Sequence, residues 1–126
     1  MTEPHRDDEI DEIRLTLPAV ASYARVARLA VTGLASRLGF TYDELEDLRI
    51  AVGEVFGVLV PVAGAGRLTV RCRVEGSDLA VEISRDPLLP TAEITELTRQ
   101  ILAAMVDEAT IDDHQARIRV VKRLTS

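Results

Sequence analysis

The segment 68–84 constrains the fold of this chain most strongly, because apolar and polar residues alternate on both sides of a turn. Every second residue of 68–74 is apolar, and the alternation resumes in 79–84. Gly76, Ser77 and Asp78 lie between the two runs and are residues that tight hairpin turns favour. A period of two places successive side chains on opposite faces of a strand. The segment therefore predicts a β-hairpin with one buried face.

Two amphipathic helices are predicted before this hairpin. In 19–38 apolar residues recur at steps of three and four, and Gly39 follows them as a helix terminator. The second helix, 41–60, begins with Thr41 and Glu44 in the spacing of a capping box and ends at Pro61. Each helix has a single apolar face, so both are expected to cover a sheet.

Three further elements complete the predicted order. Residues 12–17 alternate as a first strand that ends at Pro18, residues 91–106 have the periodicity of a third helix, and 109–124 predict a last hairpin. The resulting order is β-α-α-β-β-α-β-β. This order predicts an α/β (α+β) two-layer sandwich, in which helices cover one face of a mixed, mostly antiparallel sheet.

The chain length of 126 residues allows one compact domain, which we predict over 11–126. Residues 1–10 are acidic and lack apolar periodicity, so we predict that they form a flexible leader. No apolar run reaches the roughly 18–20 residues that a membrane-spanning helix needs, and the acidic start is unlike a signal peptide. We therefore expect a cytoplasmic protein without membrane contact.

The charge and the cysteine content exclude further classes of protein. The net charge is −6, and most of the excess acid lies in 1–12. The nearly neutral remainder lacks the field of Lys and Arg with which proteins bind nucleic acid, so no direct nucleic-acid partner is expected. Cys72 is the single cysteine, and with only two histidines the chain has too few ligands for a structural zinc site. We predict that Cys72 is a small buried apolar residue.

Two parts of the sequence resemble a known family. Residues 22–26 and 33–54 are similar to the first two helices of the anti-sigma-factor serine kinases, which belong to the GHKL ATPase superfamily. Residues 105–111 and 121–124 are similar to the last helix and the final hairpin of the same family. Together with the order of elements, the resemblance spans about 11–124. It implies a bacterial regulatory domain with the GHKL, or Bergerat-like, fold.

The nucleotide site that this resemblance implies is altered on its central helix and after the third strand. The family carries a Glu and, four residues later, an Asn that holds Mg²⁺; the corresponding residues here are Glu54 and Val58. Valine has no oxygen with which to bind a metal ion. The family's adenine site has an Asp followed by glycines, whereas Asp86 is followed by Pro87 and by no glycine.

The phosphate-binding part of the implied site is altered as well. The family's glycine-rich turn aligns with Glu96 and Thr98, which offer a negative charge and a β-branched residue where a phosphate prefers bare backbone. The residues between Asp86 and Glu96 are too few for the family's ATP lid. We therefore predict a pseudokinase that is not an enzyme, with no catalytic residue beyond the remnant Glu54 and with no bound metal or cofactor.

The resemblance also implies protein partners. Arg25 aligns with the first-helix arginine with which the family holds its sigma factor and its antagonist, and a guanidinium suits the carboxylates of such partners. Arg28, one turn away, is the second candidate on the same flank. The implied function is that of a non-catalytic anti-sigma factor, which sequesters a sigma factor in a partner-switching system and is released by an anti-anti-sigma antagonist. The resemblance further implies a homodimer.

Two alternative functions stay open from the sequence. One is an active anti-sigma serine/threonine-protein kinase that uses ATP. The other is a domain that senses a small ligand in the vacated nucleotide pocket, lined by Ile50, Val58 and Leu88. The open face of the sheet is predicted to carry four arginines: Arg71, Arg73, Arg117 and Arg119. This face is either a docking surface for an acidic partner or a solvated face on which the arginines pair with acids.

Overall fold

The strands form where apolar and polar residues alternate in the sequence. The computed structural model describes residues 12–60, 66–86 and 94–124, so the predicted leader and Leu88 lie outside the described residues. The five described strands are β1 (Glu12–Pro18), β2 (Arg67–Glu75), β3 (Asp78–Asp86), β4 (Glu108–Asp112) and β5 (Arg117–Arg123). Gly76 lies in the turn between β2 and β3 with a φ of 66°, which glycine adopts without steric cost. The predicted hairpin is confirmed.

Three helices occupy the predicted places: α1 (Ala24–Leu38), α2 (Tyr42–Leu59) and α3 (Glu96–Met105). At the start of α2 the Glu44 N–H donates to Thr41 Oγ1 at 3.2 Å, and the Thr41 N–H donates to the Glu44 carboxylate at 2.7 Å. This reciprocal pair is the predicted capping box. Helix α1 begins later than predicted, after a 3₁₀ turn over Ala21–Tyr23, because Val20 and Tyr23 provide no side-chain cap.

The sheet has the order β1-β2-β3-β5-β4, and all four neighbouring pairs are antiparallel. In register, Val70 lies opposite Ile83, and Ile83 lies opposite Ile118. All three side chains are buried in one core with Val52 and Val55 of α2. The helices therefore cover one face of the sheet, and the predicted two-layer α/β sandwich is confirmed.

Candidate functional site

Three chain segments that carry residues assigned to a nucleotide site approach one another at the C-terminal end of α2. Val58 lies in the last turn of this helix and lines a narrow space together with Ile94, which precedes α3. The end of β3 adjoins the same place, because Arg85 donates a hydrogen bond from Nη1 to the Leu59 carbonyl at 3.2 Å. The fold therefore brings together the last turn of α2, the end of β3 and the residues before α3, which are distant in sequence.

Val58 packs as a core residue. Its side chain is 5% exposed and belongs to the same apolar cluster as Val55 and Leu59. The space beside it has a cavity volume of about 0 Å³, so it does not admit even a water molecule. Mg²⁺ requires oxygen ligands, so the side chain at position 58 does not fit the role of the family's Asn. Glu54, one turn earlier on α2, is half-buried.

The sequence analysis did not identify Arg85 as part of this site. Its side chain is 2% exposed and lies on the helix-facing side of β3. Its hydrogen bond to Leu59 places a guanidinium at the carboxyl end of α2, where the helix carbonyls present partial negative charge. The alternation of Leu79, Val81 and Ile83 continues to position 85, so the same pattern that predicted β3 predicts an inward-facing arginine.

The other site positions lie near the ends of β3 and α3. Asp86 is the last residue of β3 and is exposed. Glu96 is exposed in the first turn of α3, where the Thr98 N–H donates to Thr95 Oγ1 at 3.1 Å. The Thr95 side chain therefore caps the helix and satisfies one of the N–H groups that a phosphate at this helix start would use.

The vacated-pocket alternative named three lining residues. Ile50 is 44% exposed on α2, Val58 is buried, and Leu88 lies outside the described residues. Of these residues, Val58 lines the narrow space beside Ile94, and Ile50 does not line it.

The two partner-binding arginines differ in their surroundings. Arg25 lies in the first turn of α1 and is exposed. Arg28 is half-buried, and its Nη1 atom lies 3.4 Å from the place that a Cβ atom would occupy at Gly53 of α2. Arg28 therefore lies across the contact between α1 and α2, whereas the sequence analysis placed it on the same exposed flank as Arg25.

Large apolar side chains are exposed close to Arg25 in the sequence. Leu29, one turn further along α1, is 66% exposed. The others in the first part of α1 and just before it are Val20, Tyr23 and Val26. Isolated exposed apolar residues are ordinary, but several of them at the start of one helix are typical of a surface for protein contact. We call these four residues and Arg25 the α1 surface.

The arginines of the open sheet face are paired with acids. Arg71 Nε lies 3.2 Å from Glu12, and Arg117 Nε lies 3.2 Å from Glu82. Arg73 also contacts Glu12, and Arg119 contacts Glu75. The hydrogen bond from Arg71, followed by that from Arg14, lowers the pKa of the Glu12 carboxyl. This face therefore has mixed charge, as the solvated-face alternative predicted.

Lys122 and Cys72 carry two further polar groups with little exposure to solvent. Lys122, the only lysine, donates from Nζ to Asp47 Oδ2 at 3.0 Å and to the Met105 carbonyl at 2.7 Å. It thereby joins β5 to α2 and to the end of α3. Burial raises the pKa of the Cys72 thiol to about 11, so this thiol remains protonated at neutral pH. The prediction that Cys72 is a buried apolar residue is confirmed.

Neither a metal cluster nor a membrane-spanning helix is found in the described residues. Within 12–60, 66–86 and 94–124, no three His, Cys, Asp or Glu side chains are grouped so that they could hold a metal ion. None of the three helices combines the length and the apolar character that crossing a membrane requires.

Sequence comparison finds relatives that share part of this chain. Serine-protein kinase RsbW of Bacillus subtilis is 52% identical over 44 residues, which are 35% of this chain and 28% of that protein. Serine-protein kinase RsbW of Listeria innocua is 40% identical over 78 residues, or 59% of this chain and 50% of that protein. The chain thus spans half or less of these curated relatives. No protein-family model matches it.

Comparison with solved structures identifies the same fold. The crystal structure of the RsbU and RsbW domains of Rv1364c from Mycobacterium tuberculosis matches with a TM-score of 0.70 and 17% identity, covering 91% of this chain and 33% of that one. The class of the domain is therefore an α/β sandwich with the fold of that structure. Part of the chain is similar to serine-protein kinases RsbW, and the resemblance predicted from the sequence is confirmed.

The comparisons contradict one prediction. We predicted from Val58, Asp86, Glu96 and Thr98 that the chain is not an enzyme. Its relatives carry the name serine-protein kinase, which points to protein kinase activity. The prediction is therefore wrong on this evidence. It gave the substituted positions more weight than the relationship to a family of kinases.

Proposed function

We propose that the protein regulates transcription by binding a sigma factor in a partner-switching system, from which an anti-anti-sigma antagonist releases it. The relationship to the serine-protein kinases RsbW supports this function. The single structural observation that carries it is the α1 surface, where exposed apolar side chains accompany the exposed Arg25 at the start of α1. Sigma factors act on RNA polymerase, so the proposed place of action is the cytoplasm.

The composition of the α1 surface fits the proposed partner contact. Protein interfaces combine apolar side chains, which supply contact area, with arginine, whose planar guanidinium pairs with a carboxylate in two parallel hydrogen bonds. Arg25 is exposed, and none of the ion pairs formed among the described residues includes it. It therefore offers an acidic partner a cation that needs no rearrangement before binding.

Reversing the charge of Arg25 tests this proposal. We expect Arg25→Glu to reduce the recovery of a sigma factor about tenfold or more, because a buried charge pair is replaced by repulsion at the interface. Arg37→Glu is the matched control, since Arg37 is another exposed arginine of α1, in its last turn. Tagged wild-type and variant proteins are captured from the source bacterium, and co-purified sigma factors are quantified by mass spectrometry.

Two results of this capture would contradict the proposal. One is that no sigma factor accompanies the wild-type protein. The other is that Arg25→Glu and Arg37→Glu recover the same amount of sigma factor. Both variants should unfold at the same temperature as the wild type, because both positions are on the surface of α1.

We further propose that the protein is a homodimer in which the outer edge of β1 pairs with β1 of a second copy. β1 is an edge strand of the described sheet, and Ile13 on its helix-facing side is 50% exposed. An edge strand with an exposed apolar residue favours pairing with another chain. Sedimentation velocity of the wild type and of Ile13→Asp measures this directly, and a monomeric wild type at micromolar concentration contradicts the dimer.

Protein serine kinase activity is the second candidate function, and the names of the relatives favour it. Of the residues that the resemblance assigns to phosphoryl transfer, Glu54 is the one retained, on the half-buried side of α2. The resemblance gives it the role of orienting the attacking group. Position 58 supplies no metal ligand, so we assign no residue to the Mg²⁺ ion.

A phosphorylation assay tests this second candidate. The protein and its captured partners are incubated with Mg²⁺ and radiolabelled ATP, and we expect label on serine of the antagonist. Glu54→Gln should abolish the transfer, because the amide cannot accept a proton as the carboxylate does. Glu46→Gln on the same helix should leave it unchanged. Absence of label with the wild type would contradict kinase activity without affecting the test of sigma-factor binding.

A further inference from the structure

The charged residues of helix α1 are all positive. Its sequence contains Arg25, Arg28 and Arg37 and no acidic residue. None of the hydrogen bonds and ion pairs found in the described part of the chain includes the side chain of Arg25 or of Arg28. These two arginines are three residues apart, so they are neighbours on the helix surface, with about 5–6 Å between their Cβ atoms. The first half of α1 therefore offers two adjacent cations to a partner.

The guanidinium of Arg28 lies against α2. Its Nη1 atom is 3.4 Å from the place that a Cβ atom would occupy at Gly53, and Arg28 is half-buried. Because Gly53 has no side chain, the guanidinium approaches the surface of α2 closely at this position. Arg25, in contrast, is exposed in the first turn of α1. The two cations therefore occupy different places, one on α1 and one over the contact between α1 and α2.

The part of α2 beside Arg28 carries a single charge. Glu54 is the only charged residue in 50–59. It follows Gly53 but projects about 100° further around the helix, and no ion pair between it and Arg28 is found among the described residues. The other acids of α2 lie in 43–47, near its first turns. Two cations thus lie beside one acid in this region, so its charge favours an acidic partner.

We propose that Arg28 determines the specificity of the partner contact, because it binds a second carboxylate of the sigma factor, separate from the one that pairs with Arg25. This inference rests on the proposed function and extends the binding surface from α1 onto α2 at Gly53. A guanidinium pairs with a carboxylate through two parallel hydrogen bonds. A partner without the second acid would cover the half-buried Arg28 and leave its charge unpaired, which is unfavourable. The surface therefore selects a partner with two acids.

The probe is the sigma factor that the wild-type full chain captures from the source bacterium. It is purified and titrated into the wild type and the variants by calorimetry. We expect Arg28→Met to raise the dissociation constant about tenfold, because it keeps most of the apolar stem but removes the charge. Arg37→Met is the matched control in the last turn of α1 and should bind as the wild type does. Arg25→Met and Arg28→Met combined should raise the constant about a hundredfold, because contacts with separate acids add.

Three measurements separate the binding of a carboxylate from structural support of α1. The dissociation constant of Arg28→Met should depend less on salt than that of the wild type, because one charge pair is lost. Arg28→Lys keeps the charge, so it should keep the salt dependence of the wild type and bind more tightly than Arg28→Met. Gly53→Leu covers the part of α2 against which Arg28 lies. It should weaken binding by the wild type but cause no further loss in Arg28→Met.

Four outcomes would overturn the inference. Equal binding by the wild type and Arg28→Met, with binding still weakened in Arg25→Glu, would remove the Arg28 contact and leave the proposed function intact. A combined variant no weaker than the weaker of its two single variants would show that both arginines share one carboxylate. An unchanged salt dependence in Arg28→Met would assign Arg28 a structural role. Capture of no sigma factor by the wild type would overturn the proposed function, and this inference with it.

Discussion

Lys122→Met is expected to lower the free energy of unfolding by about 2–3 kcal/mol, because it removes two hydrogen bonds of a charged and nearly buried group. The Lys122 side chain is 12% exposed and binds both Asp47 Oδ2 and the Met105 carbonyl. Methionine keeps most of the apolar stem but leaves Asp47, which is 34% exposed, without its cation. Urea denaturation followed by circular dichroism measures the change.

Arg123→Met provides the matched control for this variant. Arg123 is the next residue of β5, points to the open face and is half exposed, although it contacts both Glu108 and Asp78. Exposed ion pairs contribute about 0–1 kcal/mol, so this variant should unfold close to the wild type. Equal destabilisation by Lys122→Met and Arg123→Met would show that Lys122 does not join α2 and α3 to the sheet.

Lys122 also marks the limit of what sequence analysis predicts in this chain. The hairpin 68–84 and the capping box of α2 depend on neighbouring residues, so their patterns could be recognised directly. The alternation in β5 places Lys122 on the inner face, but only the packing of three elements shows that Asp47 and the end of α3 lie beside it. Partners brought together from distant segments leave no local pattern.

The candidate site was likewise predicted only in part. The positions Glu54 and Val58 were identified from the resemblance to a family that carries a Glu and an Asn four residues apart, and the structure places both on α2. Arg85 was missed because inward-facing charge is rare and the alternation of β3 was taken only as a strand signal. The strand order β1-β2-β3-β5-β4 was not predicted either, because the order of strands in a sheet depends on contacts between distant segments.

Val58→Asn is expected to destabilise the protein by about 3 kcal/mol, because it places an amide in a well-packed apolar site. Val58 contacts the core beside Leu59 and Ile94, and the adjoining space is small. Val58→Ala, which removes methyl groups without adding polarity, should cost about 2 kcal/mol. Urea denaturation of both variants separates the cost of polarity from that of lost packing.

Ile50→Asn controls for the effect of asparagine on helix stability. Ile50 lies on the same helix but is 44% exposed, so its replacement should cost about 1 kcal/mol or less. The loss of stability caused by asparagine at position 58 then exceeds the loss at position 50 by the penalty for burying an amide. If position 58 instead faced a nucleotide, as in the family, asparagine would be tolerated and Mg²⁺-ATP would raise the unfolding temperature of Val58→Asn more than that of Val58→Ala. A tolerated asparagine together with this larger rise in unfolding temperature would show that Val58 does not lie in the core, because a ligand stabilises only the folded state that it contacts.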